Sequence, residues 1–262
     1  MRKEEGTGVR EAVILMAGAG SRLGEAGGAP AKPLVQVGGR ALLSYSIAAL
    51  ERAGVRRVHA VMGAMSARLT SEVQELLPDG MSLNPIVNPE WRKQNGVSVL
   101  AAEGHVQSPF FLVMGDHLYE FRILAALLEQ GDRNRVNLAI DRKIASVFDL
   151  DDAMKVQTSG DSIRAIAKDL QVYDAIDTGV FLCSGDIFSA LQRVEQERGD
   201  CSLADGVRLL AGEGKMRVVD VKDAWWQDVD TPAMLARAEQ ESARFLWKDR
   251  RGLPQERVSR QG

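Results

Sequence analysis

Hydrophobic and polar positions follow two different periods along the chain, and together they predict an α/β protein. Compact apolar runs predict buried strands, whereas apolar residues three or four positions apart predict amphipathic helices. In the first half we expect strands at 12–16, 57–62, 81–87 and 109–114, and helices at 41–53, 66–77 and 96–104. Such alternation is typical of parallel strands joined by right-handed crossovers. Pro85 favours an edge position for the strand at 81–87.

The second half of the chain is less regular. We expect strands at 136–141, 175–183, 216–221 and 224–227, and helices at 187–196, 203–211 and from Thr231 toward Trp247. The runs 155–158 and 163–168 flank a Ser-Gly-Asp turn, so they predict a β-hairpin. We interpret the chain as a flexible N-terminus (1–10), one domain (11–247) into which the hairpin is inserted, and a polar tail (248–262).

The strongest candidate for chemistry is the loop after the first strand. Gly18 and Gly20 follow the strand at once, and glycine lets a backbone approach a ligand closely. Successive backbone N–H groups in such a loop form a concavity that binds anions. Arg22 and Lys32 add two cations, and Pro33 stiffens the exit of the loop. This combination favours a polyphosphate ligand.

Several kinds of loop could carry these glycines. A P-loop requires G-x-x-x-x-G-K-[ST], which does not occur. A dinucleotide loop requires a third glycine where Leu23 stands, and an acid about 20 residues later, but no acid occurs between Glu25 and Glu51. An ordinary glycine-rich turn would not need the two cations. The loop closely resembles the nucleotidyltransferase signature, L-x-x-G-x-G-x-R followed by K-P, in which the matching residues are Leu15, Gly18, Gly20, Arg22, Lys32 and Pro33.

Two acidic segments are candidates for a metal site. Asp116 directly follows the strand at 109–114, and ligands of open α/β sheets bind at the carboxyl ends of strands. A carboxylate there suits a Mg²⁺ that bridges phosphate oxygens, and Asp230, at the start of a helix, could complete the site. The alternatives are a helix cap at Asp116 and an Asp-rich turn at 228–230. Whether Asp228 shares the metal is left open.

Weaker candidates lie elsewhere. The segment 94–98 offers side chains that could bind a base edge, but it also reads as a simple helix start. Lys168 and the segment 174–179 could hold a phosphate and hydroxyls, or form a surface ion pair. His117 alone is more often structural, and the tryptophans at 225–226 favour packing over base stacking.

Composition narrows the class of protein. With 33 basic and 36 acidic side chains the net charge is −3, so no overall positive field attracts nucleic acid. The two cysteines have no metal-binding spacing. The charged N-terminus lacks the apolar segment of a signal peptide, and no apolar run approaches a membrane span. We therefore expect a cytoplasmic protein without a nucleic-acid partner.

The opening loop resembles that of the sugar-phosphate nucleotidyltransferases. Within them, five further stretches look like those of the inositol-1-phosphate cytidylyltransferases, which are often fused to a membrane-embedded CDP-alcohol phosphatidyltransferase. The stretches are 114–117 (MGDH), 140–143 (IDRK), 148–155 (FDLDDAMK), 173–181 (YDAIDTGVF) and 225–232 (WWQDVDTP). The likeness covers about residues 11 to 245. Met16 departs from the more usual alanine, and the spacer 24–31 is longer and richer in glycine.

The resemblance implies a Rossmann-like nucleotidyltransferase fold, with a mixed, mostly parallel sheet flanked by helices and the hairpin over the acceptor site. It implies that CTP reacts with inositol 1-phosphate to give CDP-inositol and pyrophosphate. Asp116 and Asp230 would hold Mg²⁺, and with Arg22 and Lys32 they would form the catalytic set. The implied nucleotide-binding residues are Leu15, Ala17, Gly18, Ala19, Gly20, Arg22, Lys32, Asn95, Gly96 and Ser98. The implied acceptor-binding residues are Lys168, Asp177, Thr178 and Gly179.

Three alternatives to this function are considered. The first is a phosphocholine cytidylyltransferase, which would want an aromatic cage, and the chain has only three tyrosines and four tryptophans. The second is a sugar-1-phosphate nucleotidyltransferase on the same scaffold. The third is a catalytically silent nucleotide-binding partner of a membrane CDP-alcohol phosphotransferase. Association of an active enzyme with such a membrane protein is also considered, and the oligomeric state is left open.

Overall fold

The computed structural model describes residues 8–17, 31–63 and 66–242, and only the backbone of residues 66 and 67. Gly18, Ala19, Gly20 and Arg22 of the predicted phosphate loop lie outside the described residues, as does Trp247. The domain limits at residues 11 and 247 stay predictions.

Helices and strands alternate through most of the described chain. The α-helices are α1 (Leu42–Arg52), α2 (Ser66–Leu76), α3 (Asn95–Leu100), α4 (Phe121–Gln130), α5 (Asp186–Arg198), α6 (Leu203–Gly212) and α7 (Pro232–Glu241). The strands are β1 (Glu11–Leu15), β2 (Gln36–Val37), β3 (Arg40–Ala41), β4 (Arg57–Met62), β5 (Ser82–Val87), β6 (Phe110–Met114), β7 (His117–Tyr119), β8 (Val136–Asp141), β9 (Lys155–Ser159), β10 (Ser162–Ala167), β11 (Ala175–Cys183), β12 (Met216–Asp220) and β13 (Trp226–Asp228).

The main sheet is mixed, as predicted. Strand β1 lies between β4 and β6 and is parallel to both, and β5 continues the parallel set beyond β4. Strand β5 ends this side of the sheet, which confirms the edge position of Pro85, since proline cannot donate to a further strand. Strand β11 runs antiparallel to β6, β8 and β9, and β12 is parallel to β8. The register of β11 against β8 shifts between Asp177 and Phe181, so the strand is interrupted there.

Both faces of the sheet are covered, because successive side chains of a strand point to opposite sides. Val13 of β1 packs with buried residues of α3, α5 and α6. Its neighbours Ala12 and Ile14 pack on the other side with residues of α1, α2 and α4. The strands near the centre of the sheet are therefore mostly apolar, and Glu11 and His59 are buried polar exceptions that bond to each other.

The predicted hairpin is confirmed as the antiparallel pair β9–β10, which extends the main sheet beyond β11. Helix α4 was missed, although Ile123, Leu124 and Leu127 are buried at helical spacing, because Glu120 provides no side-chain cap to mark its start. Helix α3 ends at Leu100, where residues 101–104 form turns instead of continuing it. Thr231 caps α7 by accepting a hydrogen bond from the Met234 N–H (3.3 Å), as its sequence predicted.

The strand predicted at 224–227 is confirmed in part as β13, but its pairing with β7 and the separate pair β2–β3 were not predicted. Strands β2, β3 and β7 are two or three residues long, too short for a periodic pattern. Across the described ranges, no helix combines the length and the apolar character that a membrane span demands.

Candidate active site

The sheet β7–β13 brings together two acidic segments that are far apart in sequence. Asp116 follows β6, and β7 begins at the next residue. Antiparallel pairing places His117 opposite Asp228, and the Val229 N–H donates to the Asp116 carbonyl at 2.9 Å. Asp230 follows directly and leads into α7. The carboxylates predicted to share a metal therefore lie at one site.

Lys32 joins these two carboxylates. Its Nζ donates to Asp116 Oδ2 at 2.6 Å and to Asp230 Oδ1. Lys32 opens a short 3₁₀ turn whose second residue is the buried Pro33, so the base of the side chain is held firmly. The Lys32 and Asp230 side chains are only 16% and 13% exposed, which keeps the contact largely free of bulk water.

The charges of this cluster stabilise one another. Burial lowers the pKa of Lys32, but the charges and hydrogen bonds of Asp116 and Asp230 outweigh burial and leave that pKa raised. Burial raises the pKa of Asp116, but His117 and Lys32 together hold it well below its usual range. Burial raises the pKa of Asp228, and the negative charges of Asp230 and Asp116 raise it further against the effect of His117. Asp116 and Lys32 are therefore both charged at neutral pH.

The donor set suits magnesium. Within the described residues, no group of three or more His, Cys, Asp or Glu side chains could enclose a metal ion. Two carboxylates do converge on one cationic nitrogen, that of Lys32. Mg²⁺ binds through one or two carboxylates and fills its other positions with substrate phosphates and water. The residues present therefore fit a magnesium ion that arrives with a polyphosphate.

His117 is held in place on two sides. Its Nδ1–H donates to Asp116 Oδ1 at 2.7 Å, and its ring stacks on Trp226 with centroids 6.2 Å apart and planes 14° from parallel. The indole Nε1 of Trp226 donates to the buried Asp141 at 2.9 Å, and Lys143 donates to the same carboxylate at 2.8 Å. Burial lowers the pKa of His117, but the hydrogen bond and charge of Asp116 outweigh it and leave that pKa raised.

The interruption of β11 turns three of the predicted acceptor residues in different directions. Asp177 Oδ1 accepts from the Gly179 N–H at 2.7 Å, and burial raises the pKa of Asp177 to about 6, against the effects of that N–H and His117. Gly179 adopts φ +72°, a conformation that favours glycine. Thr178 is fully buried, and its hydroxyl donates to the Ala139 carbonyl at 2.8 Å, away from the cleft.

Lys168 lies at the rim of the cleft. Its side chain is 53% exposed, and its Nζ donates to the Asp152 carboxylate. Beneath it, the nearly buried Lys155 donates from Nζ to the Lys168 carbonyl at 2.6 Å. The backbone at Lys168 is therefore anchored, while its side chain reaches water.

The segment at the start of α3 packs against the start of α6. Asn95 Oδ1 accepts from the Leu203 N–H at 2.8 Å. A Cβ on Gly96 would lie 2.5 Å from the Cys201 carbonyl oxygen, so the backbones approach too closely for another residue. Ser98 is buried, and its hydroxyl accepts from the Asn88 side chain at 3.0 Å. Asn95 alone of these three lines the cleft.

The cleft itself encloses roughly 320 Å³, which is enough for a small polar ligand. Six of the predicted site residues line it: Asn95, Asp116, Lys168, Asp177, Gly179 and Asp230. Leu15 and Ala17 lie at the end of β1, half-buried and buried respectively. Sequence reasoning gave His117 little weight, assigned Trp226 to packing and missed Asp152, although all three line the cleft. Their nearness in sequence to Asp116, Lys155 and Asp228 was the available signal.

A mixed α/β sheet with a lysine and two carboxylates grouped beyond its strand ends defines the nucleotidyltransferase class of enzymes. Residues 12–208 match the family model described as MobA-like NTP transferase domain, and the chain belongs to this family.

Individual relatives agree with this assignment. The chain is 36% identical over 228 residues to "Bifunctional IPC transferase and DIPP synthase" of Thermococcus kodakarensis, covering 87% of this chain and 49% of the relative. The Aquifex aeolicus protein of the same name is 30% identical over 231 residues, with 88% and 51% covered. The chain thus spans about half the length of these curated relatives. The solved inositol-1-phosphate CTP transferase from T. maritima superposes with a TM-score of 0.80 at 27% identity, covering 90% of this chain and 96% of that one.

Proposed function

We propose that this enzyme condenses CTP with inositol 1-phosphate to give CDP-inositol and pyrophosphate. The observation that carries the proposal is that Lys32 joins Asp116 and Asp230, and that these two carboxylates line the same cleft as Asp177 and Lys168. A nucleoside triphosphate and a phosphorylated polyol need two such neighbouring sites. The printed names of the relatives, an IPC transferase and an inositol-1-phosphate CTP transferase, support CTP and inositol 1-phosphate as the pair.

The reaction follows from charge neutralisation and positioning. An oxygen of the acceptor phosphate attacks the α-phosphorus of CTP, and the bond from that phosphorus to the bridging oxygen breaks, so that pyrophosphate leaves. The second pKa of a phosphate monoester is about 6, so the attacking group is already largely dianionic at neutral pH and needs no strong base. Positioning and electrostatic stabilisation are then the main contributions of the protein.

At the end of the cleft that contains Asp116 and Asp230, called the nucleotide end below, each residue has a proposed role. Asp116 and Asp230 would hold Mg²⁺, which, when bound, supplies positive charge to the phosphate oxygens. Lys32 binds the α-phosphate, whose charge changes most during transfer. Gly18, Gly20 and Arg22 bind the leaving phosphates, as the sequence predicts. Leu15 and Ala17 border the nucleotide, and Asn95 and Gly96 tie this side of the cleft to α6.

Lys168 and Asp177 lie at the other end of the cleft, called the acceptor end below. There Lys168 binds phosphate and Asp177 accepts hydrogen bonds from ring hydroxyls. Asp177 is oriented by the Gly179 N–H, so one of its oxygens is already occupied and the other is available to a ligand. A site built on such hydrogen bonds discriminates against analogues that lack the hydroxyls.

A wider role is also proposed. Association with a membrane CDP-alcohol phosphotransferase is supported by the relatives, which are named as bifunctional and are about twice as long as this chain. We place the reaction in the cytoplasm, which is supported by the two cysteines, both free and buried.

One screen tests the proposal. The purified protein is incubated with Mg²⁺ and each of CTP, UTP, ATP and GTP, in combination with inositol 1-phosphate, glucose 1-phosphate or phosphocholine, and products are identified by phosphorus NMR. We expect pyrophosphate and CDP-inositol from the first pair alone. Asp116→Asn should abolish most of the product, whereas Asp223→Asn, which changes an 83% exposed carboxylate, serves as the matched control. If another pair of substrates gave product, that pair would replace CTP and inositol 1-phosphate. Nucleotide binding without pyrophosphate release would support the alternative of a catalytically silent nucleotide-binding partner.

A further inference from the structure

His117 lies where the two ends of the cleft meet. On one side its Nδ1–H is bonded to Asp116, which belongs to the nucleotide end. On the other side its ring borders Gly179, beside Asp177 of the acceptor end. An attacking phosphate has to reach this boundary, because its oxygen must meet the α-phosphorus there.

The ring cannot turn freely. Stacking on Trp226 sets its plane, and Trp226 is itself anchored to the buried Asp141. The hydrogen bond to Asp116 then sets which nitrogen faces the nucleotide end. With Nδ1 committed to Asp116, Nε2 is the polar atom of His117 left for a ligand. Nothing within the described ranges hydrogen-bonds to it.

Gly179 lies against the Nε2 edge of the ring. A Cβ on residue 179 would lie 2.7 Å from both Nε2 and Cδ2 of His117, so a residue other than glycine would have to displace the ring. The backbone there also has φ +72°, which favours glycine. Both residues line the cleft. Glycine at 179 thus allows the imidazole to keep its place at the wall of the cleft.

The cations elsewhere in the cleft are placed differently. Lys32 is committed to Asp116 and Asp230 at the nucleotide end. Lys168 lies at the rim, is half exposed and pairs with Asp152. A phosphate that has moved inward to attack lies beyond the rim lysine, in the part of the cleft that His117 lines.

We propose that Nε2 of His117 binds the phosphate of the acceptor, and that glycine at 179 is required to keep the ring in the position from which it does so. The contact holds one proton between Nε2 and a phosphate oxygen: an imidazolium donates it to a dianion, or a monoanion donates it to the imidazole. The assignment of this phosphate to inositol 1-phosphate rests on the proposed function. The recognition of a phosphate group by His117 does not.

Two substitutions separate this role from the orientation of Asp116. Asparagine places its amide near the position of Nδ1, so His117→Asn keeps a partner for Asp116 and loses the Nε2 contact. Glutamine reaches the position of Nε2, so His117→Gln does the reverse. We expect His117→Asn to raise the Michaelis constant for the acceptor roughly 10- to 100-fold, the range for a hydrogen bond to a charged group, with that for CTP little changed. We expect His117→Gln to restore most acceptor affinity while lowering kcat.

A direct readout does not depend on turnover. The chain contains three histidines, so nitrogen NMR of protein labelled at histidine resolves each ring. With Mg²⁺ and a CTP analogue whose α,β bridge is a methylene, inositol 1-phosphate or inorganic phosphate should move the Nε2 resonance of His117 more than its Nδ1 resonance. His59 is the internal control, because both its nitrogens are already bonded, to Glu11 (3.1 Å) and Asn84 (2.9 Å).

The outcomes are distinct. Equal acceptor constants for the Asn and Gln variants, or an Nε2 resonance that neither phosphate moves, would overturn the inference. If inorganic phosphate moves Nε2 but the wild-type enzyme makes no CDP-inositol, the inference stands and the proposed substrate is wrong.

Discussion

Asp177 should make the free enzyme less stable as the pH rises. Its carboxyl group is partly shielded from water, and burial raises its pKa from the usual 3.8 to about 6. An acid whose pKa is higher in the folded than in the unfolded state stabilises the fold most at pH values below its unfolded-state pKa. That contribution is lost as the pH rises through the folded value. We therefore expect Asp177→Asn, which cannot ionise, to be more stable than the wild type at pH 8 and about equally stable near pH 4.

The size of the effect follows from the two pKa values. The difference between 3.8 and about 6 corresponds to about 3 kcal/mol. Because the side chain still reaches the water of the cleft, we expect a gain of about 1–3 kcal/mol at pH 8. Asparagine keeps an oxygen that can accept from the Gly179 N–H, so this substitution removes the charge without removing that hydrogen bond.

Urea unfolding of both proteins between pH 4 and pH 8 measures the effect. The difference in unfolding free energy should grow over pH 4 to 7 and then level off. Asp223→Asn should show no such gain, because Arg122 lowers the pKa of that exposed carboxylate. A constant difference between wild type and Asp177→Asn at all pH values would show that the carboxylate is not held in an unfavourable setting. The gain in stability should accompany a higher Michaelis constant for the acceptor, since a charge that costs stability is retained for binding.

Three further predictions concern the reaction. Asp116→Asn and Asp230→Asn should each lower kcat by a factor on the order of 100 or more, and EDTA should abolish activity. Lys32→Met should mainly lower kcat, because the charge at the α-phosphate changes during transfer, whereas Arg22→Met should mainly weaken CTP binding; initial rates at varied CTP separate the two. Lys168→Ala should raise the Michaelis constant for inositol 1-phosphate far more than that for CTP, as rates with each substrate varied in turn will report.

Each of these predictions has a result that would contradict it. Full activity in EDTA, or in either aspartate variant, would remove the metal role. A Lys32→Met enzyme altered only in its Michaelis constant would reverse the roles of the two cations. If Lys168→Ala raised the Michaelis constants for both substrates equally, the lysine would support the fold and would not select the acceptor. Lys222→Met, at a side chain 73% exposed outside the cleft, is the matched control for the lysine substitutions.

Local sequence determined the parts of this protein that depend on near neighbours. Apolar runs in β1 and β6 predicted buried strands because each strand is covered on both faces. Pro85 predicted an edge because a missing N–H has the same consequence in any fold. Asp116 was recognised because it directly follows a buried strand, where ligands of such sheets bind. Lys32 was recognised because it adds a cation to the glycine loop.

Tertiary structure alone decided which of these residues meet. Asp116 and Asp230 are 114 positions apart, and only the short pairing of β7 with β13 brings them to one lysine. The direction of Thr178 was equally hidden, since it depends on the register shift of β11, which turns its hydroxyl toward β8. No local pattern encodes such contacts, because they are set by how separate strands pair.

The same reason explains the residues that sequence reasoning undervalued. From the sequence alone His117 is more often a structural residue, until its ring is seen between Trp226 and Gly179. Gly179 lies more than 60 positions away along the chain and Trp226 more than 100, so no local pattern shows that they surround the ring. Sequence thus determined the class of fold and the residue types at the site, whereas packing decided the distances, burial and charges that make those residues a site.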